Sequence, residues 1–246
     1  MVLKSQLHDF SEAGKTAVIK GVIHGLMRGS LVGGQRLTEL GAAKMFSVSR
    51  TPVREALLEL SMMGILHLRR NCGALLLPFG PQQVEDLYSV RSLLEVEATR
   101  LAAIRIPMET VERLIGDFTV LMNQSRDDDS WSKDRELHST LALASGNVRL
   151  ADEIGRYSSI VQVIREAAGT ESPALHPISI SEHLRILNCL KDRNADAAAA
   201  AMRDHLTQAR ESARDSLLRM RSKVAFPQKT SQSLRLLDGP RSNAND

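Results

Sequence analysis

The reading of this chain turns on residues 37–57, LTELGAAKMFSVSRTPVREAL. Leu37 and Leu40 open a short helix that runs to about Met45, and Phe46-Ser47-Val48 makes a tight turn. A second helix follows, from about Ser49 or Thr51 to Met63. Pro52 must lie in its first turn, where a missing N–H costs nothing. Gly64 is a C-cap candidate. Val53, Ala56, Leu57 and Leu60 recur at helical spacing and form the side that packs inward.

Working outward, residues 16–27, TAVIKGVIHGLM, place Val18, Ile19, Val22, Ile23, Leu26 and Met27 on a helical stripe. Gly29 and the Gly33–Gly34 pair end that helix. Downstream, Ile65–Leu68 and Ala74–Leu77 flank the turn-like basic run Arg69-Arg70-Asn71-Cys72-Gly73, which reads as a β-hairpin. Helix, helix, turn, helix, hairpin is the order of a winged helix-turn-helix.

Ser49, Arg50, Thr51 and Arg54 crowd the N-terminus of the third helix. Free N–H groups and partial positive charge there suit a DNA phosphate. Arg50 and Arg54 lie one turn apart on one face. An arginine fork can bond guanine O6 and N7 together in the major groove. Ser49 and Thr51 suit phosphate or cap bonds, and Arg69 and Arg70 suit the backbone or minor groove. A solvated basic helix face is the plainer reading of two arginines. The coincidence of short helix, turn, basic tip and hairpin favours double-stranded DNA.

VSRTPVREAL at 48–57 resembles the recognition-helix signature of the GntR family of bacterial transcription regulators. G-x-R-L-x-E at 34–39 and the wing glycine Gly73 fit the same pattern, so the likeness covers about 65 residues. It implies a homodimer on a short palindromic operator, with Gly73 at the DNA. Some family members carry a DNA-reaching arginine in the second helix. The aligned position here is Leu40, so that contact is not carried over.

Composition bounds the rest. The chain has 246 residues and a formal net charge of +3, distributed unevenly. Residues 1–79 hold ten Lys/Arg against five Asp/Glu, residues 80–220 hold 17 against 22, and residues 221–246 hold five against two. A basic front and an acidic middle point to two domains with different partners. No apolar run approaches the roughly 18–20 residues of a membrane helix, and residues 1–15 have no signal-peptide core. Cys72 and Cys189 make no disulfide framework, so we expect a cytoplasmic protein without a membrane contact. Aromatic residues, at 3%, are too few for a base-stacking platform.

Pro78, Gly80 and Pro81 mark a boundary. Helical rhythm then fills about 82–105, 108–125, 130–145, 147–168, 179–191 and 195–221, and nothing alternates like a strand. We therefore expect a mainly α protein. A flexible tail spans 1–13, a winged helix-turn-helix with its small β-hairpin 14–79, and an all-α bundle 84–221. Residues 222–246 lose the rhythm and read as a disordered tail.

Three histidines of the bundle lie on apolar stripes. Asp134 and His138 are i, i+4 on a face continued by Leu141 and Ser145. His183 sits with Ile186, Leu187 and Leu190, and His205 with Ala198, Ala201, Met202 and Ala209. The turn between the last two helices is near Asp192–Asn194. Ten residues separate His183 from Arg193 and Ala195 from His205. At about 1.5 Å rise per residue both lie near 15 Å from the turn, so in an antiparallel pair they are level. A lone inward histidine is ordinarily a hydrogen-bonded core residue. Three of them that can converge with one aspartate make a metal site. The nitrogen/oxygen set suits zinc, nickel, manganese or iron rather than magnesium, with zinc and nickel foremost. His8, His24, His67 and His176 show no such pattern.

D-x-x-x-H at 134–138, A-S-G-N at 144–147 and the two late histidines resemble the FCD ligand-binding domain, which defines the FadR branch of the GntR family. This likeness covers about residues 84–220. It implies a six- or seven-helix bundle whose Asp134, His138, His183 and His205 hold a divalent metal, with a small carboxylate effector beside it. Tyr88-Ser-Val-Arg91-x-x-x-Glu95, leading to Arg100-Leu-Ala-Ala103, resembles the first helix of that domain. The arginine there implies Arg91 as the group for the effector's carboxylate, although a salt bridge to Glu95 is its simpler role. Asn147 is a second effector candidate, against a helix cap after Gly146.

Two other functions compete. A metal-dependent hydrolase would need access to the metal and a general base beside it, yet there is no HExxH and no obvious carboxylate beyond Asp134. An architectural DNA-binding protein would not carry an acidic second domain that repels DNA. The expectation is a non-enzymatic transcription regulator, a repressor, responsive to a small organic acid.

Overall fold

The computed structural model describes residues 2–70, 73–123, 130–168 and 177–225. The order is α1 (Val2–Arg28), β1 (Arg36–Leu37), α2 (Glu39–Phe46), α3 (Arg50–Met62), β2 (Leu66–Arg69), β3 (Gly73–Leu76), α4 (Pro81–Arg105), α5 (Met108–Asn123), α6 (Ser130–Ala144), α7 (Val148–Ala168), α8 (Pro177–Lys191) and α9 (Ala195–Ala225).

The turn between α2 and α3 is built from local chemistry. The Thr38 side chain caps α2 by accepting from the Gly41 N–H at 3.0 Å. Ser47 ends α2 in the left-handed region at φ 55°, which swings the chain into α3. Val53, Ala56, Leu57 and Leu60 of α3 are buried against Val18, Val22 and Ile23 of α1. The sheet order is β1-β3-β2, antiparallel throughout, with Leu37 opposite Ala74 and Arg69 opposite Gly73. A two-residue strand such as β1 has no period to read, so sequence patterning gives the hairpin without its third member.

Two ends differ from expectation. Residues 2–13 are helix, not a loose tail. Leu3, Leu7 and Phe10 continue the three-to-four spacing toward Val18, and the segment just after them is pinned to α3. Lys15 Nζ lies 2.8 Å from Glu12 and 3.2 Å from Glu59, and the Ser11 hydroxyl donates to Glu55. At the other end α9 runs through residues 222–225 to Ala225. The remainder of the expected tail, and His176, lie outside the described residues.

Val84 and Tyr88 of α4 and Leu217 and Met220 of α9 belong to the same buried cluster as α1 and α3. The Arg221 guanidinium strengthens that junction, donating to the carbonyls of Leu26, Met27 and Phe79. Two of those carbonyls are at the C-terminal end of α1, where helix acceptors lack intrahelical partners. A second core joins α4, α5, α6, α8 and α9 through Ala102, Val111, Leu114, Phe118, Leu137, Leu141, Leu187, Ala198 and Met202.

Gly73 stands at φ +78°, and a Cβ there would lie 2.7 Å from the Leu37 carbonyl oxygen. Its place in the wing is set by backbone geometry. Replacing Gly73 with alanine is expected to cost about 1–3 kcal/mol in chemical denaturation. A change inside about 0.5 kcal/mol, the range of ordinary surface substitutions, would contradict this.

Candidate functional site

On α3, Ser49, Arg50, Thr51 and Arg54 are all exposed, while Pro52, Val53, Ala56 and Leu57 are buried. Ser49 is the N-cap residue, with extended backbone and no side-chain cap bond, so its hydroxyl is not spent on the helix. Arg50 and Arg54 share one partner. Arg50 Nη2 donates to Glu39 Oε2 at 3.1 Å, and Arg54 Nε donates to the same oxygen at 2.8 Å. Arg54 first, then Arg50, holds the Glu39 carboxyl below its ordinary range against a smaller opposing effect of burial. Leu40 is exposed beside them.

The second site lies inside the bundle. Asp134 and His138 come from α6, His183 from α8 and His205 from α9. One ligand atom from each lies within 4.8 Å of the others, and all four residues are buried. His183 Nε2 is 3.3 Å from Asp134 Oδ1 and 3.2 Å from His205 Nε2, and His138 Nε2 is 3.7 Å from Asp134 Oδ1. The level placement of His183 and His205 read from the turn is thus realised.

Outer partners aim the rings. His138 Nδ1 bonds Glu95, and His205 Nδ1 bonds Glu182 at 3.0 Å. A carboxylate on Nδ1 makes that nitrogen the N–H and leaves the Nε2 lone pair facing inward, the arrangement of metal-ligating histidines. His183 lacks this device. Its Nδ1 is buried without a partner among the described residues, and Phe118 packs on its ring at 4.9 Å. Glu95 in turn accepts from Arg91 Nε at 2.7 Å, and Asp134 Oδ2 accepts from Arg165 at 2.8 Å.

The charges follow. Burial alone would raise the Asp134 carboxyl, but Arg165 and the histidines hold it well below its usual value. Burial opposes ionisation of Glu95 too, yet Arg91 and His138 bring it down to about 2. Burial first, then the neighbouring His205, lowers His183 from 6.5 to about 3. His205 is lowered as well, by burial above all. The Asp134 oxygen and the inward-facing imidazole nitrogens form a buried donor set that a divalent cation would complete. The donor set fits a transition metal.

A cavity of about 290 Å³ opens beside the quartet, lined among others by Arg91, Asp134, His138, Arg135, Arg165 and Trp131. Arg91 pairs with Glu95 and lies on the cavity wall. Arg165 lies 3.7 Å over the Trp131 ring while bonding Asp134. No spacing pattern points to Arg165 or Glu182. Asn147 is not on the cavity wall. It is exposed, and its Oδ1 accepts from the Leu150 N–H at 3.1 Å, so it caps α7.

Comparison with known proteins now decides the family. Residues 15–76 match the model for bacterial regulatory proteins of the gntR family, and residues 86–208 match the FCD domain. This chain is a GntR-family regulator of the FCD type. It is 31% identical over 176 residues to the Nta operon transcriptional regulator of Aminobacter aminovorans, covering 70% of this chain and 81% of that one. It is 30% identical to the transcriptional regulator LutR of Bacillus subtilis, over 74% and 93% of the two chains. It is 27% identical to the transcriptional repressor RspR of Escherichia coli, over 74% and 80%. Among solved structures, Escherichia coli McbR/YncC superposes with a TM-score of 0.56 at 20% identity, over 82% of this chain and 97% of that one. The Lar protein of Listeria monocytogenes gives 0.61 at 15% identity, over 81% and 95%. These likenesses establish the mainly helical fold. The regulator is a DNA-binding transcription factor, not an enzyme. No helix among its described residues is long and apolar enough to cross a membrane.

The lowered His183 value has a measurable consequence. The folded chain binds fewer protons at His183 than the unfolded chain, so stability rises with pH between about 3 and 6.5 and falls as pH drops through that window. For chelator-treated protein the urea midpoint is expected to fall between neutral pH and pH ~5, less steeply in His183→Gln. Equal slopes in the two proteins would contradict a buried neutral His183.

Proposed function

We propose that this regulator senses a small organic acid through a metal-containing helical domain and binds a palindromic operator as a homodimeric repressor. One observation carries the reading: three imidazole nitrogens and a carboxylate oxygen converge beside a cavity that also presents Arg91, Arg135 and Arg165. Asp134, His138, His183 and His205 would hold the metal, zinc or nickel by donor chemistry. When bound, the metal supplies a Lewis-acidic position for a carboxylate oxygen. Arg91 keeps its Nε on Glu95 and turns its terminal nitrogens to the acid. Arg165, lying over the Trp131 ring, pairs with Asp134 and borders the same space. Together these cations suit an anion in a domain that is acidic overall.

On the DNA side, Arg50 and Arg54 read base edges, while Ser49 and Thr51 contact phosphates. Gly73 lets the wing turn tightly enough for Arg69 and Arg70 to reach the backbone. A palindromic operator calls for two reading heads related by a two-fold axis, which is the basis for the homodimer. That RspR of Escherichia coli is a transcriptional repressor favours repression over activation. The hydrolase alternative falls with the family assignment.

Zinc titration of chelator-stripped protein by calorimetry is expected to give about one site per chain, weakened more than about tenfold by His183→Ala or His205→Ala. Unchanged affinity in both variants would overturn the quartet. A thermal-shift screen of organic acids on the zinc-loaded protein is expected to yield hits weakened by Arg165→Ala. Hits that survive this change and Arg91→Ala would place the acid elsewhere. Arg50→Ala and Arg54→Ala should each cost about 1–3 kcal/mol of operator affinity in gel-shift titration at fixed salt. Wild-type binding in both would remove them from the interface.

A further inference from the structure

Resting on the assignment of Arg50 and Arg54 to base reading, we propose that Glu39 is the positioning residue that makes them readers of sequence rather than of phosphate. Glu39 is the first residue of α2, and its carboxylate crosses to α3. One oxygen, Oε2, takes both arginines, at 3.1 and 2.8 Å. The layering matters: the Glu39 side chain is 30% exposed, whereas Arg50 and Arg54 are 61% and 60% exposed. The carboxylate lies beneath, and the guanidinium groups lie above it toward solvent.

The donor count explains how the arginines can keep this partner and still bind a base. A guanidinium has five N–H donors in a rigid fork. Arg54 spends Nε on Glu39, which leaves the end-on pair of terminal nitrogens for guanine O6 and N7. Arg50 spends one of the two N–H bonds of Nη2, which leaves the other, with either Nη1 or Nε, for a second bidentate contact. A long, exposed arginine without such a backstop samples many rotamers and is drawn to any phosphate in reach. Two arginines sharing one acceptor have their planes and spacing fixed before DNA arrives. The carboxylate also carries a cost, because a negative charge among phosphates weakens binding to every sequence. Lower general affinity with higher discrimination is what distinguishes a positioning role from simple attraction.

The test uses the 246-residue chain and a randomised duplex library. The wild-type protein first selects its preferred motif. Wild type, Glu39→Ala, Glu39→Gln and Glu55→Ala are then titrated on that motif and on scrambled duplex at one salt concentration. Glu55 is an exposed acid on α3 that contacts neither arginine in the structure, so its variant controls for charge alone. Circular dichroism melting confirms that each variant is folded. The expected result is a ratio of specific to scrambled affinity reduced at least about fivefold in Glu39→Ala, less in Glu39→Gln, and unchanged in Glu55→Ala, with scrambled-DNA binding equal or tighter. An equal ratio in Glu39→Ala and wild type would overturn the proposal, as would an equal loss in Glu55→Ala. A motif that moves to a different base with undiminished discrimination would also overturn it, making Glu39 a direct reader. Failure of the wild type to select any motif would instead fell the base-reading assignment beneath it, and this proposal with it.

Discussion

Burying a carboxylate with three imidazoles is the constraint around which the helical domain is arranged. Asp134, His138, His183 and His205 are each at most 5% exposed. Charged groups taken out of water must be paired and hydrogen-bonded, or they lose their charge. Here Arg165 compensates Asp134, Glu95 and Glu182 hold two of the rings, and Arg91 compensates Glu95. His183 and His205 stay neutral through burial. These partners come from α4, α6, α7, α8 and α9, so satisfying four inward side chains fixes how five helices meet. A purely apolar core could slide; a network of fixed donors and acceptors cannot without leaving polar groups unpaired.

The same helices reach the DNA-binding end. His205 and Arg221 are both on α9, 16 residues apart, or about 24 Å along the axis. One is in the quartet, and the other donates to the last carbonyls of α1. On α7, Arg165 bonds Asp134 while its neighbour Glu166 pairs with Lys20 of α1 at 2.8 Å. Two chains of contact therefore join the quartet to the helix that supports α3. Coupling of this kind requires a ligand that favours one arrangement over the other.

What the sequence made legible follows from locality. The helix-turn-helix is read from capping, Pro52 and a few residues of period, all within one stretch. The quartet is legible because histidine is uncommon on apolar stripes, and helix rise alone levels His183 with His205. Arg165 and Glu182 are not legible. The pairing of Arg165 with Asp134 spans 31 residues, and charged side chains on helices are too common for one to announce an inward role. Asn147 shows the opposite hazard: a residue placed by family likeness proves to serve the helix start beside it. The helical residues 2–13 show a third. The contacts at and just after the end of that segment, from Ser11 and Lys15 to Glu55 and Glu59 of α3, span about 44 residues of chain.

X-ray absorption spectroscopy at the metal edge of zinc- or nickel-loaded protein tests the central claim most directly. The account predicts a first shell of nitrogen and oxygen at about 2.0–2.2 Å, with the multiple-scattering signature of three imidazoles. It also predicts the loss of one imidazole contribution in His205→Ala. A shell of oxygen without imidazole scattering, or one unchanged by that substitution, would contradict it.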